Sequence, residues 1–276
     1  MNETTAAPEA ETKKKKSKKK RLLIVLAAII CWAAFGILMQ LIFGSGEEEA
    51  FTVEIFAETV SVGPFDFSVC SLWGLGISGV LILLAVIFRV FCVPRFKEIP
   101  RGIQNVMEII VEKLDDYTAS RSCGAGEGLS SYIFALGAYL VGCAALELFG
   151  VRSPSSDIIT TFSLALVTFV LINFYGFRKK GFAGRLKDYV KPTPVIAPIK
   201  FISDIAIPVS MACRLFGNML AGFIIMELLY YSLGNFSAGP AAVLGLYFNM
   251  FHPLIQAFIF ITLTLSFIGE AVETNE

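Results

Sequence analysis

The chain has 276 residues, of which 55% are hydrophobic and 17% charged, with a mean hydropathy of +0.70. That is too apolar and too sparsely charged for an ordinary water-soluble domain, so a bilayer must supply much of the solvent. Its 23 basic and 23 acidic side chains cancel, and a single histidine excludes a multi-histidine zinc or haem site. No cofactor and no metal centre are expected. The six cysteines, Cys31, Cys70, Cys92, Cys123, Cys143 and Cys213, form no C-x-x-C pair and mostly lie in or beside apolar runs, where cysteine behaves as a small hydrophobe.

Residues 1–21 are polar and end in the basic run Lys13–Arg21, which buries too little apolar surface to fold. A disordered inner-side tail that anchors topology is expected there, rather than a nucleic-acid site. Residues 22–43 are one apolar stretch without an A-x-A cleavage site, read as a retained N-terminal transmembrane helix. An acidic outer segment follows over 44–71, carrying Glu47, Glu48, Glu49, Glu54, Glu58 and Asp66.

The membrane core is expected over 72–276. Apolar runs at 72–94, 130–151 and 158–176 each approach the roughly 20 residues that cross a hydrocarbon core. Two further stretches, 195–233 and 240–270, are too long to stand upright, at roughly 57 Å and 46 Å of helix. They must tilt, bend or project, and Pro208 and Pro253 offer bending points because each deletes a backbone donor.

Between the second and third spans, Ile103, Val106, Met107, Ile110 and Leu114 recur at helical spacing. This predicts an amphipathic helix, within 100–118, lying on the inner membrane surface or against a partner. Basic residues cluster after alternate spans, at Lys13–Arg21, at Arg95, Lys97 and Arg101, and at Arg178, Lys179, Lys180, Arg185 and Lys187. The positive-inside rule then places both termini inside after six crossings. The fold class is an all-α polytopic membrane protein with about six membrane helices.

Ionised groups inside the hydrocarbon are costly and need a reason to be there. Arg214 sits midway along 195–233, too far from either end to snorkel, and arginine stays charged at physiological pH. It is either half of a buried ion pair or a fixed charge beside an ion pathway. Asn218, four residues on, shares its face; Glu227 projects about 140° away at roughly 100° per residue. Asp204 and Lys200 lie toward the inner end of the same stretch.

In the last stretch Asn249, His252 and Gln256 fall on one stripe, with Thr264 outside it. Interhelical hydrogen bonding alone explains such a stripe as well as proton exchange does, although an imidazole can exchange protons near neutral pH. Pro253 leaves the Asn249 carbonyl without its helical donor. A wet path from outside past Glu227, Asn249 and His252 is therefore expected.

The run Pro208-Val-Ser-Met-Ala-Cys-Arg214-Leu-Phe-Gly-Asn218-Met-Leu-Ala-Gly222 closely resembles the signature helix of F-type ATP synthase a subunits. Gln256-Ala-Phe-Ile-Phe-Ile-Thr-Leu-Thr resembles the family's second signature, and a looser resemblance runs from about 72 to 270. It implies a non-catalytic, proton-translocating membrane subunit whose last two helices pack as a tilted hairpin against a ring of c subunits. Arg214 would face the ring carboxylates, with Gln256 approaching it from the partner helix. Half-channels would draw on Asn218, Glu227, Asn249, His252 and Asp204. A b-subunit stator, the remaining ATP synthase subunits and membrane lipid are the implied partners, in a cell membrane that is energy-transducing.

Three features depart from the family pattern. Phe223 stands where many members carry a carboxylate nine residues after the arginine, Asn249 stands where many have Glu or His, and the tail with span 22–43 is additional. Glu147, Arg152 and Asp157 resemble polar positions near the family's third and fourth helices. A sodium-coupled version of the same subunit, a stand-alone channel or transporter, and a structural scaffold are the competing readings. Without a G-x-x-x-x-G-K-[ST] loop, ATP chemistry belongs to other subunits.

Overall fold

The computed structural model describes residues 58–62, 65–97, 102–126, 128–190, 197–234 and 238–273, with positions 30, 31, 34, 37 and 38. The basic tail lies outside the described residues. So does the helix expected over 22–43, apart from those five positions, which are helical. Two compact units are distinguished, residues 1–53 with 225–245, and residues 54–224 with 246–276.

The larger unit opens with a hairpin absent from the expectations, β1 (Thr59–Val62) antiparallel to β2 (Phe65–Ser68), with Thr59 opposite Ser68 and Val62 opposite Phe65. It feeds directly into α1 (Val69–Ile87), which continues through a π turn (Phe88–Cys92) and a 3-10 turn (Val93–Arg95). Then come α2 (Ile103–Arg121), α3 (Leu129–Leu148), a short turn at Pro154–Ser156, and α4 (Ile158–Val190), kinked at Gly181. The helix α5 (Ala197–Leu233) runs on into the smaller unit, where α6 (Ala238–Leu246) begins. A second π turn (Tyr247–Phe251) leads into α7 (His252–Val272).

Among the described residues, five helical segments are long and apolar enough to cross a membrane: Val69–Arg95, Leu129–Leu148, Ile158–Gly181, Ala197–Leu233 and Val243–Val272. They match the expected spans from 72 onward to within a few residues, because sustained hydropathy is the strongest local signal a sequence carries. The helix α5 continues through Pro208. The wide turns lie elsewhere, each just ahead of a proline that lacks the N–H of the next α-helical bond, Pro94 and Pro253. In each turn an N–H reaches five residues back, Val93 to Phe88 and His252 to Tyr247.

The core of the larger unit is built around α7, which packs against α3, α4 and α2. Leu129, Ile133, Leu136 and Leu140 of α3 and Ala165 and Ile172 of α4 repeat at spacings of three, four or seven and are almost fully buried. They meet Phe260, Leu265 and Ile268 of α7 and Met211 and Leu215 of α5 in one cluster. Lipid removes the hydrophobic driving force between helices, so close approach and hydrogen bonding must supply the adhesion. Gly142 lets Ile77 come so near that an added Cβ would lie 2.8 Å from its Cγ2, and Gly74 admits the Tyr139 hydroxyl in the same way. Thr168 receives a 3.2 Å contact from Tyr132 across α3 and α4. By contrast α1 is apolar on every face and largely exposed, as a lipid-facing span should be.

The predicted amphipathic helix is present as α2. Val106 and Ile110 are exposed, and the contact with the core is made by Leu114, Tyr117 and Thr118 near the C-terminal end.

Candidate functional site

One side of α5, carrying Met211, Ala212, Leu215 and Met219, is drawn into the core. The helical period then turns Ala206, Ser210, Cys213, Gly217 and Ala221 outward. Arg214 stands on this exposed face, midway along an apolar helix and flanked by small side chains. No ion pair or hydrogen bond joins it to another described residue.

One turn further, Asn218 Nδ2 donates to Gln256 Oε1 at 2.7 Å, linking α5 to α7. Gln256 is 2% exposed, and its Nε2 is buried without a hydrogen-bond partner among the described residues. Two residues that the sequence placed on separate helices are thus brought together, beside Arg214.

The rest of the stripe behaves differently. The π turn widens the helix at Tyr247–Phe251 and so offsets Asn249, whereas His252 opens α7 and keeps its four-residue α-helical spacing to Gln256. Both are half-buried, and neither makes a hydrogen bond to another described residue. The imidazole lies 6.4 Å and 6.5 Å from the ring centroids of Tyr247 and Phe248. Thr264, excluded from the stripe, is fully buried and donates to the Phe260 carbonyl at 2.8 Å, a local structural bond.

On the expected inner side, Asp204 pairs with Arg185 of α4 at 3.7 Å. Arg185 Nη1 also reaches the Ala271 carbonyl at 3.4 Å, so one guanidinium joins α4, α5 and the end of α7. In the sequence Arg185 is legible only as a topogenic charge. On the opposite side, Asp157 accepts from Ser71 Oγ at 3.1 Å and from the Ile159 amide at 3.2 Å, capping α4. Arg152 donates from Nε to Ser156 Oγ at 3.1 Å, and its guanidinium lies 4.8 Å over the Phe223 ring. Glu147 is half-buried at the end of α3. Glu227 is exposed on the part of α5 that belongs to the smaller unit. Among the described residues no group of histidine, cysteine or carboxylate side chains could hold a metal ion.

Chemically, this is a fixed cation on an outward face with polar groups above and below it, rather than a nucleophile with a base. Comparison with known proteins identifies the family. The family model described as ATP synthase A chain matches residues 75–269. The chain is 30% identical over 243 residues to ATP synthase subunit a of Limosilactobacillus fermentum, covering 81% of this chain and 98% of that relative. To ATP synthase subunit a 2 of Picosynechococcus sp. it is 29% identical over 174 residues, covering 63% and 73% respectively. This membrane chain belongs to the ATP synthase A chain family and assembles with other subunits of that enzyme.

Proposed function

We propose that the chain carries protons between two offset half-channels past Arg214 and so couples their flow to rotation of a c-subunit ring. The observation that supports this is the exposed guanidinium in the middle of α5, which pairs with no other described residue. A charge at mid-membrane costs about 2.5–3.5 kcal/mol on insertion scales. No carboxylate among the described residues offsets that cost, and in this reading the counter-charge comes from another subunit. The small residues around Arg214 let a helix of another subunit come close enough to bring one.

The coupling follows from electrostatics. A ring carboxylate that meets Arg214 must be ionised to pair with it, while a protonated neighbour can face lipid. Protons therefore load on one side of Arg214 and leave on the other, and the fixed cation blocks direct hopping between the two. Each proton releases about 2.3 kcal/mol per 100 mV, which drives the ring. In this reading Asp204 serves the inner route, and Glu227, Asn249 and His252 the outer one. Gln256 and Asn218 hold the two helices together beside the cation. A b-subunit stator holds the chain against the ring, in a plasma membrane with both termini inside.

The test is proton movement in inverted membrane vesicles containing the assembled complex, with Arg214→Ala compared against the parent. Loss of ATP-driven pumping with assembly retained supports the reading; unchanged pumping removes it. Repeating the assay with sodium in place of a pH gradient separates the two ions.

A further inference from the structure

The inner-surface helix α2 touches α7 at two places. Tyr117 Oη lies 2.7 Å from Thr262 Oγ1, and Thr262 Oγ1 in turn donates to the Phe258 carbonyl at 2.8 Å. A threonine hydroxyl has one proton. With that proton committed to Phe258, Tyr117 must be the donor, so the bond has a defined direction. The Tyr117 ring is also seated against Phe258, centroid to centroid at 6.1 Å. About two turns further along α7, Gly269 is in backbone contact with the end of α2, where an added Cβ would lie 2.6 Å from the Arg121 carbonyl oxygen. A hydroxyl bond and a backbone-to-backbone seat together fix both the height and the rotation of α7 on α2.

Thr262 lies six residues beyond Gln256, about 9 Å along the helix at 1.5 Å per residue. Gln256 accepts the hydrogen bond from Asn218, one turn from Arg214. Two hydrogen bonds thus connect three helices in series, from Tyr117 through α7 to the helix that bears the arginine. We infer that Tyr117 and Thr262 are positioning residues, which make α2 a strut holding α7, and through Gln256 the arginine helix, at a fixed height in the membrane. The inference rests on the ion-translocation reading above.

The geometry gives the strut a purpose. A rotating partner loads the Arg214 face sideways and along the helix axis, and α7 is joined to α5 by a side-chain bond that tolerates little slip. An amide bond weakens steeply once donor and acceptor are displaced or misaligned. A slip of α7 would release Gln256 from Asn218. Resistance to that slip must come from outside the helix pair, and α2 adds a directed bond to the support that α3 and α4 give α7.

The experiment uses the assembled complex in inverted vesicles and measures protons pumped per ATP hydrolysed, with the amount of chain in the complex determined in parallel. Tyr117→Phe and Thr262→Val each remove one hydroxyl and keep the shape. Each is expected to lower the pumping ratio roughly threefold to fivefold, the factor that goes with losing one hydrogen bond, with the amount of complex unchanged. The double variant is expected to be no worse than either single one, and Thr262→Ser, which keeps the hydroxyl, to restore the ratio. Arg214→Ala is run alongside. If it abolishes pumping while Tyr117→Phe and Thr262→Val leave the ratio intact, the strut is overturned and the functional reading stands. If pumping survives Arg214→Ala, the functional reading fails first. Additive losses in the double variant, or losses that only follow the amount of complex, also overturn the strut.

Discussion

Asn218 and Gln256 are hydrogen-bonded across α5 and α7 at 2.7 Å, four residues from an arginine that has no counter-charge among the chain's described residues. The bond is a cross-brace beside the charge. Removing Asn218 leaves a glutamine that is 2% exposed with neither end of its amide paired, which makes the loss worse than that of a solvent-facing bond.

A double-mutant cycle on Asn218→Ala and Gln256→Ala is expected to show coupling of about 0.6–1.7 kcal/mol, the range for interhelical bonds in lipid. Unfolding of the full chain by SDS in mixed micelles measures it. Strict additivity of the two substitutions would mean that the bond contributes nothing in the membrane.

Glycines on α5 and α7 separate two kinds of close approach. At Gly269 an added Cβ meets the backbone of Arg121 at 2.6 Å, whereas at Gly217 nothing lies within 4 Å. Gly269→Ala should therefore cost about 1–3 kcal/mol, as overpacking against rigid backbone does. Gly217→Ala should stabilise slightly or not at all. A larger side chain at the same open position, Gly217→Leu, should leave the chain's own stability intact yet abolish ATP-driven pumping, because the partner helix needs that space. Pumping that persists in Gly217→Leu would mean the Arg214 face is not where the ring docks.

How far the sequence carried can be judged at particular residues. The five described spans were legible because hydropathy and length are local properties, and Arg214 and Asn218 because an arginine midway in an apolar helix is conspicuous alone. The hairpin was overlooked: the segment was read for its acids, although Val60, Val62, Phe65 and Phe67 alternate around a Gly-Pro pair. Pro253 flagged a broken hydrogen bond, but not that the backbone would answer with a π turn at Tyr247–Phe251 and so carry Asn249 off the stripe that His252 and Gln256 share. The partners that link helices, Asn218 with Gln256, Arg185 with Asp204, and Tyr117 with Thr262, lay beyond reach. Each depends on the axial register between helices, which periodicity within one helix does not contain.

Arg185 and Asp204 give a second measurable brace. Their side chains are 12% and 25% exposed, so the pair lies between a surface bridge worth under about 1 kcal/mol and a buried one whose breakage costs about 3–5 kcal/mol. Asp204→Asn is expected to cost roughly 1–2 kcal/mol in SDS unfolding. Arg185→Ala should cost more, because it also frees the Ala271 carbonyl at the end of α7. If Asp204 also serves the inner proton route, Asp204→Asn slows passive proton flow in proportion greater than the loss of folded chain. Equal losses would make it purely a brace.

The outer route is the last point of divergence, and Arg152 supplies its test. The guanidinium lies 4.8 Å over the ring of Phe223, the position where the family resemblance leads one to expect a carboxylate. A carboxylate at 223 would face that cation and be held ionised, whereas the ring offers only a cation–π contact of about 0.5–2 kcal/mol. The chain instead carries Glu227 one helical turn on, exposed. If Glu227 has taken over the proton-exchanging role, Glu227→Gln should reduce ATP-driven pumping by about tenfold or more, the scale of losing one acid-base group. Glu227→Gln combined with Phe223→Glu should recover a measurable part of it, while Phe223→Glu alone changes pumping little. Full pumping in Glu227→Gln would shift the role to His252 and Asn249, and His252→Ala in the same vesicles would then show the loss instead.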